Sequence, residues 1–225
     1  HTRHGLFANG MVMHSWTHVP YTMAQQLYGD YVVYSYADAK NDSKMFMAMG
    51  NIGKTLDFMR GSCNVNGSFS RNESHLFSQS QAVNSVSTGW SVGGKISGSP
   101  CRWFSFDYRI DYSDSRLSMN GLSESWLSTM ENELGLTFIP HRKWQWTVSG
   151  EHYRNELTEN SYKNIVLLDT RLTYQLNKKI EFAASLTNIL DRRSYNYTTY
   201  SELSSFESQR QLRGRQLLFS ITLRK

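Results

Sequence analysis

The sequence predicts an all-β protein: an antiparallel up-and-down meander of about ten strands that belongs to a transmembrane β-barrel. Apolar and polar residues alternate with a period of two along most of the chain, which is typical of strands. No apolar run approaches the roughly 18 residues of a membrane-spanning helix. The polar positions carry many charges, which a packed soluble core could bury only at a large free-energy cost. One strand face is therefore expected to meet lipid and the other a watery lumen.

Composition narrows the class of protein further. Aromatic residues make up 13% of the 225 residues, so a disordered chain is excluded. The mean hydropathy of −0.52 is compatible with a barrel, because only alternate strand residues face lipid. The net charge is +5, but the basic residues are scattered among acidic ones, so no nucleic-acid partner is expected. Cys63 and Cys101 fit no disulfide framework and are expected on non-adjacent strands.

The strands follow from the alternation in chain order. Three weaker strands are predicted near 5–17, 44–52 and 57–70. Seven stronger ones follow at 86–96, 104–112, 130–138, 144–148, 166–174, 180–186 and 217–223. Residues 22–28 are compatible with one helical turn inside a loop.

The connections alternate between two lengths. Short turns are predicted at 51–55, 97–101, 139–143 and 176–179. Long loops are predicted near 18–43, 71–83, 113–124, 158–162 and 191–209. Short turns at one end and long loops at the other are typical of transmembrane barrels.

Charged residues at the polar positions are candidates for lining the lumen. The alternative is a solvated wall whose charges pair across strands. The candidates are Lys95, Asp107, Arg109, Asp111, Glu131, Glu133, Glu151, Asp169, Arg171 and Glu181.

Three tyrosines in the last long loop, Tyr195, Tyr197 and Tyr200, are candidates for stacking on a sugar or peptide substrate. An aromatic girdle at the membrane interface explains them equally well. His14 and His18 share a strand face, but their i, i+4 spacing suits a metal ion only on a helix. No metal site and no cofactor are therefore expected.

The segment SLTNILDRRSY, residues 185–195, resembles the Asn-Leu-Phe-Asn-Lys-Arg-Tyr signature near the end of TonB-dependent outer-membrane receptors. The matching residues are Asn188, Ile189, Leu190, Asp191, Arg193 and Tyr195. The terminal strand RQLRGRQLLFSITLRK is similar to endings of the starch-utilisation (SusC-like) branch in Bacteroidota. Asp191 stands where the signature has a second Asn, and the chain ends in Arg224-Lys225, where many outer-membrane proteins have an aromatic residue.

The resemblance implies a 22-stranded barrel closed around a plug, with residues 1–225 as the C-terminal part of the barrel domain. The signal peptide and plug would precede His1. It also implies energised import of a nutrient, such as a glycan, peptide or metal chelate, across the outer membrane of a Gram-negative bacterium. The implied partners are outer-membrane lipid, the rest of the barrel, the plug and, through the plug, the TonB complex. A surface lipoprotein lid is left open.

Two other interpretations stay open. One is a self-contained ten-stranded outer-membrane barrel, either an adhesin or an omptin-like protease, which would need paired acids and an Asp–His pair at its outer rim. However, His141 is expected beside a short turn, His152 on the apolar face, and His75 in a loop near Glu73. No enzyme is therefore expected. The other interpretation is a soluble β-sandwich that acts as a binding module.

Overall fold

The computed structural model describes residues 5–28, 31–38, 40–78, 81–120, 122–123, 126–158, 161–200 and 205–223. Almost all of these residues lie in strands. The strands are β1 (Leu6–Val19), β2 (Thr22–Tyr28), β3 (Tyr31–Ala37), β4 (Asn41–Leu56), β5 (Gly61–Ser78), β6 (Gln81–Cys101), β7 (Phe104–Met119), β8 (Leu122–Ser123), β9 (Leu127–His141), β10 (Trp144–Thr158), β11 (Ser161–Gln175), β12 (Ile180–Thr187), β13 (Ser194–Tyr200), β14 (Ser205–Gln211) and β15 (Gln216–Leu223). A 3-10 helix spans Asp57–Met59. In the described part of the chain, no helix has the length and apolar character needed to cross a membrane.

Ten of the strands form one antiparallel meander. Their order in the sheet is β1-β4-β5-β6-β7-β9-β10-β11-β12-β15, so almost every strand lies beside its neighbour in the sequence. The β2–β3 hairpin and the short β8 are attached to this sheet, and β13–β14 forms a separate two-stranded sheet. The ten strands of the meander correspond to the ten predicted from the sequence. The all-β, up-and-down architecture is therefore confirmed.

The register sorts side chains into two faces. Residues directly opposite one another in an antiparallel ladder point to the same side of the sheet. Phe106 pairs with Leu136, and Leu136 pairs with Val148. We call the side that carries these residues the apolar face. The opposite side, on which Arg109 pairs with Glu133, is the polar face.

The sheet has almost no core of its own. Among the described residues, the buried hydrophobic side chains are Ile165 and Ala183. Large residues of the apolar face are open instead, including Trp16 at 69% exposure and Phe219 at 76%. Hydrogen-bonded ladders therefore hold the strands together, and many large side chains of the apolar face are exposed in the described part of the chain.

Several predicted boundaries are wrong because the strands are longer than the alternation indicates. Residues 51–55, predicted as a turn, continue β4, and the predicted loop 71–83 is mostly the end of β5 and the start of β6. Residues 22–28 form β2, paired with β3, and not a helical turn. These segments are rich in Asn, Ser, Gln and Gly, which resemble loop sequence, but pairing with a neighbouring strand overrides local propensity.

The cysteines also differ from expectation. Cys63 lies on β5 and Cys101 on β6, and these two strands are direct neighbours. Both cysteines are free. Cys63 is paired in register with Ile96, five residues before Cys101, so the two thiols are offset along the strands.

The connections differ between the two ends of the strands. At one end, called the short-turn end, the main strands are joined at 57–60, 102–103, 142–143 and 176–179. The last turn is held by Asn177, whose Oδ1 accepts hydrogen bonds from the backbone N of Lys179 and Ile180 at 2.8 and 2.9 Å. The β2–β3 and β13–β14 hairpins and β8 all lie at the other end, called the long-loop end.

Candidate functional site

The ten charged candidate residues all lie on the polar face. In the middle of the sheet Lys95 is opposite Arg109, which is opposite Glu133, which in turn is opposite Glu151. One row nearer the long-loop end, Asp111 is opposite Glu131. The result is a dense group of charges on β6, β7, β9 and β10.

Pairing neutralises part of this group. The guanidinium Nε of Arg109 donates a hydrogen bond to Asp111 Oδ2, two residues along the same face. The hydroxyl of Tyr153 donates to Glu151 Oε2 at 3.0 Å. Acidic groups outnumber basic ones around this point, so the centre of the polar face favours ligands that donate hydrogen bonds or carry positive charge.

A cavity of about 350 Å³ opens on the polar face beside this group. We call it the tyrosine–acid cavity. Its chemically distinctive lining residues are Asp111, Glu131, Tyr153, Asn155 and Tyr195. The volume lies at the lower end of the range of small-molecule sites, which are about 300–1,000 Å³.

Tyr195 reaches this cavity from a different sheet. It lies on β13, and its hydroxyl accepts a hydrogen bond from Asn155 Nδ2 of β10 at 3.1 Å. Its ring centroid is 5.9 Å from that of Tyr153, at an interplanar angle of 55°. The two rings and the amide therefore form one wall, and the carboxyl groups of Asp111 and Glu131 form part of the rest.

This arrangement combines aromatic rings with acidic hydrogen-bond acceptors. Aromatic rings stack on the apolar faces of flat ligands, and carboxylates accept hydrogen bonds from hydroxyl or ammonium groups. The structure thus brings together three sequence candidates, Asp111, Glu131 and Tyr195. Tyr153 and Asn155 were missed, although they share the strand parity of Glu151. The side chains of Tyr197 and Tyr200 lie outside the described residues.

The terminal motif contains a buried asparagine. Asn188, which is 9% exposed, donates from Nδ2 to the backbone oxygens of Arg192 at 2.7 Å and Arg213 at 2.8 Å. Its Oδ1 accepts from the backbone N of Arg192 at 2.9 Å. Its own backbone N donates to Asp169 Oδ1 at 2.7 Å. One side chain and one amide therefore connect β11, the end of β12 and the segment before β15.

Asp191 completes the same turn. Its Oδ1 accepts from the backbone N of Arg215 at 2.9 Å, and its Oδ2 accepts from Arg193 Nη2 at 3.1 Å. The first of these bonds, followed by the second, lowers the pKa of the Asp191 carboxyl below its ordinary value. Asn188 and Asp191 have φ angles of +50° and +52°. Asn and Asp adopt this left-handed conformation more readily than other non-glycine residues.

The two apolar residues of the motif have simpler surroundings. The backbone N of Ile189 donates to the backbone oxygen of Leu168 at 2.8 Å, which extends the β11–β12 pairing by one bond. Leu190 occupies the turn and is 43% exposed. We call the turn at 188–193 with its partners Asp169, Arg213 and Arg215 the terminal clasp. Its hydrogen bonds give it a structural role.

The apolar face carries aromatic groups near both strand ends. Near the short-turn end the ring centroids of Phe104 and Phe138 are 5.0 Å apart, and those of Phe138 and Trp146 are 5.3 Å apart. Near the long-loop end Trp90 and Tyr112 lie 5.3 Å apart. Between these two bands the apolar face carries aliphatic residues such as Ile96, Leu134 and Val148 together with Phe106 and Tyr108.

Among the described histidines, His18 pairs with Asp42 at the long-loop end, where the protease alternative requires an Asp–His pair. His152 lies on the apolar face, where its Nδ1 is 3.1 Å from Asn132 Nδ2. His141 lies at the short-turn end and accepts from the backbone N of Lys143 at 3.4 Å. Within the described ranges, no three His, Cys, Asp or Glu residues are grouped so as to hold a metal ion.

Comparison with known proteins adds no assignment. No protein-family model, curated protein or solved structure matches the chain. A functional proposal therefore depends on the two faces, the cavity and the local motif.

The terminal clasp predicts a large effect at Asn188. Asn188→Ala removes three hydrogen bonds and leaves two backbone oxygens without their donor. We therefore expect the free energy of unfolding to fall by roughly 2–4 kcal/mol. Urea unfolding of the intact protein in detergent measures this loss. Asn9→Ala, at an exposed position of β1, is the control and should change stability little. Equal effects of the two substitutions would contradict the role of the clasp.

The lowered pKa of Asp191 predicts a pH dependence of stability. The contribution of this carboxylate is complete above the pKa of the unfolded chain, about 3.9, and is lost as the pH falls through the lower pKa of the folded protein. Asp191→Asn should therefore destabilise the protein at pH 7, and the difference from wild type should shrink in acid. Urea midpoints of the two proteins across this range measure it. A difference that grows on acidification would refute the assignment.

Proposed function

We propose that this chain is the C-terminal part of the barrel wall of a TonB-dependent receptor in the outer membrane of a Gram-negative bacterium. In this proposal the protein imports a nutrient and is not an enzyme. The supporting observation is the two-faced, ten-stranded meander, whose apolar face is open and whose polar face is rich in charge. The match of residues 185–195 to the receptor signature adds independent support.

Lipid is the cover that best suits the apolar face. Phe104 to Tyr112 covers eight residue steps of β7, which is about 26 Å at about 3.3 Å per residue. A strand tilted by about 40° then crosses about 20 Å of membrane, close to the apolar band of an outer-membrane barrel. Aromatic residues at both ends of this distance are the expected interfacial girdles.

The short-turn end is suited to the periplasmic interface. Its turns and their flanks are exposed and mostly basic, which favours contact with anionic lipid headgroups. The basic residues are Arg60, Arg102, Arg142, Lys143, Lys178 and Lys179. Trp103 and Trp144, at 54% and 41% exposure, accompany them on the turn side of the apolar band.

The polar face then lines a lumen, and the tyrosine–acid cavity is a contact site for the imported substrate. A ligand with several hydroxyl groups and a flat apolar face, such as a glycan, matches the rings of Tyr153 and Tyr195 and the acceptors of Asp111 and Glu131. A cationic peptide would use the same carboxylates. Both belong to the nutrient classes that the resemblance implies.

In this proposal, strands outside residues 1–225 close the barrel. Sheet edges in hydrocarbon leave backbone groups unpaired at several kcal/mol each, so spanning sheets close on themselves. In the described part of the chain, β1 pairs with β4 alone and β15 with β12 alone. We therefore propose that strands upstream of His1 join these two edges into a 22-stranded barrel. In this proposal the plug and, through it, the TonB complex act beyond this chain, and a surface lipoprotein lid is left open.

Arginine substitutions test the assignment of the two faces. Leu134, at 42% exposure, lies midway along the apolar positions of β9, so Leu134→Arg should cost roughly 2–4 kcal/mol in a membrane. Ser149 lies on the polar face beside Gly150, the register partner of Leu134. Ser149→Arg is therefore the matched control and should be tolerated. Urea unfolding in lipid vesicles and heat-modifiable migration measure both, and equal losses would refute the assignment.

Cysteine labelling on intact cells tests the membrane topology. In a background with Cys63 and Cys101 replaced by Ser, Leu122→Cys at the long-loop end should react with an impermeant maleimide. Lys178→Cys at the short-turn end should react only after the outer membrane is opened. Leu122 and Lys178 are both exposed, so access alone decides the result. Labelling of both on intact cells would refute a membrane location, and the reverse pattern would invert the topology.

A further inference from the structure

A cluster of methionines occupies one corner of the polar face. Five of the nine methionines lie on the two neighbouring strands β1 and β4. Met11 is directly opposite Met49, and Met13 is directly opposite Met47. Met45 precedes Met47 by two residues on β4, so its side chain points to the same side of the sheet. We call these five residues the methionine cluster.

The two strands distribute their apolar residues by type. Their apolar face uses Leu6, Val12, Phe46 and Ile52, and it holds no methionine along β1 and β4. The methionine cluster lies on the opposite side, among asparagine, serine and threonine, and the other large apolar residues of that side, Phe7 and Val19, lie near the two ends of β1. General hydrophobicity would not place methionine alone at the middle positions of this side. The thioether itself is the feature that the cluster shares.

The surroundings suit a ligand of low charge. A cavity of about 550 Å³ is lined by Met11 and Met49 together with Asn9, Asn51 and Asn66. The polar-face positions of β1 and β4 carry no Asp, Glu, Lys or Arg. Carboxylates, which would attract hard cations such as Mg²⁺ or Ca²⁺, are therefore absent from this part of both strands.

Geometry allows several sulfur atoms to converge. Residues directly opposite in an antiparallel pair have Cβ atoms about 4.5–5.5 Å apart, and diagonal neighbours about 7–8 Å. Methionine has three rotatable bonds, so side chains at these separations can turn their sulfur atoms toward one point. Met11, Met13, Met47 and Met49 occupy the corners of one such quadrilateral.

We propose that the methionine cluster binds a soft monovalent metal ion, Cu(I) or its analogue Ag(I), through thioether ligands. Thioethers select Cu(I), whereas imidazole and carboxylate suit other metals. The sequence expectation of no metal site came from the spacing of His14 and His18, and the thioether of methionine is a different kind of ligand. The β1–β4 register brings these methionines together whether or not the chain lies in a membrane.

The experiment is Cu(I) titration of the intact protein in detergent, under anaerobic reducing conditions, against a chromophoric Cu(I) chelator. Wild type should withdraw one equivalent of Cu(I) from the chelator. Two double variants, Met11→Leu/Met49→Leu and Met13→Leu/Met47→Leu, should each weaken Cu(I) binding at least about tenfold. Loss of an outer-shell partner alone lowers metal affinity by roughly 10- to 100-fold, and these variants remove direct ligands. Leucine keeps the volume and apolarity of methionine. If the cluster only packed against another part of the protein, the leucine variants would keep that packing.

Two controls separate metal binding from unfolding or general thiol chemistry. Met119→Leu, on the polar face of β7, should bind Cu(I) as wild type does. Serine at Cys63 and Cys101 should also leave affinity unchanged. In the wild-type protein, bound Ag(I) should protect the methionine cluster, but not Met119, from oxidation by peroxide. Peptide mass spectrometry measures the oxidation of each methionine. Unchanged Cu(I) affinity in the leucine variants, or no selective protection, would overturn the proposal.

Discussion

The antiparallel ladder is the interaction on which the rest of this structure depends. Because the described part of the chain buries almost no hydrophobic side chains, backbone hydrogen bonds between neighbouring strands provide most of its internal order. The ladder also fixes register, and a slip of one residue would exchange the two faces completely. The two faces and the methionine cluster follow from that register. It places Glu133 beside Arg109, Leu136 beside Phe106, and Met11 beside Met49.

The two faces of the sheet could be predicted from the sequence, but the residues at which the strands end could not. A period of two is visible wherever one side of a strand is apolar, as from Phe104 to Tyr112, so the ten strands and both faces could be predicted. At the long-loop end both faces become polar and the alternation disappears, although pairing continues. Strands β2 and β5 therefore extend through segments that resemble loops. There the partner strand, and not local propensity, determines the structure.

The candidate cavity shows a second limit of sequence analysis. Asp111 and Glu131 could be assigned to one face, because parity is local information. Their proximity to Tyr195 could not be predicted, because Tyr195 lies on β13, in a separate two-stranded sheet with β14. Its hydroxyl contacts Asn155 of β10 from outside the meander. Asn155 was missed for the same reason. Its importance comes from the partner that reaches it and not from its own position on a strand.

The terminal clasp connects these two limits. Asn188 and Asp191 end β12 with two left-handed residues and tie the turn to the segment before β15. The chain therefore leaves the meander in a fixed direction at Ser194, the first residue of β13, and Tyr195 follows immediately. Of the recognisable segment 185–195, Tyr195 lines the tyrosine–acid cavity directly, and the clasp residues before it act on the cavity through position. By fixing where β13 starts, they set the position of one wall of the tyrosine–acid cavity.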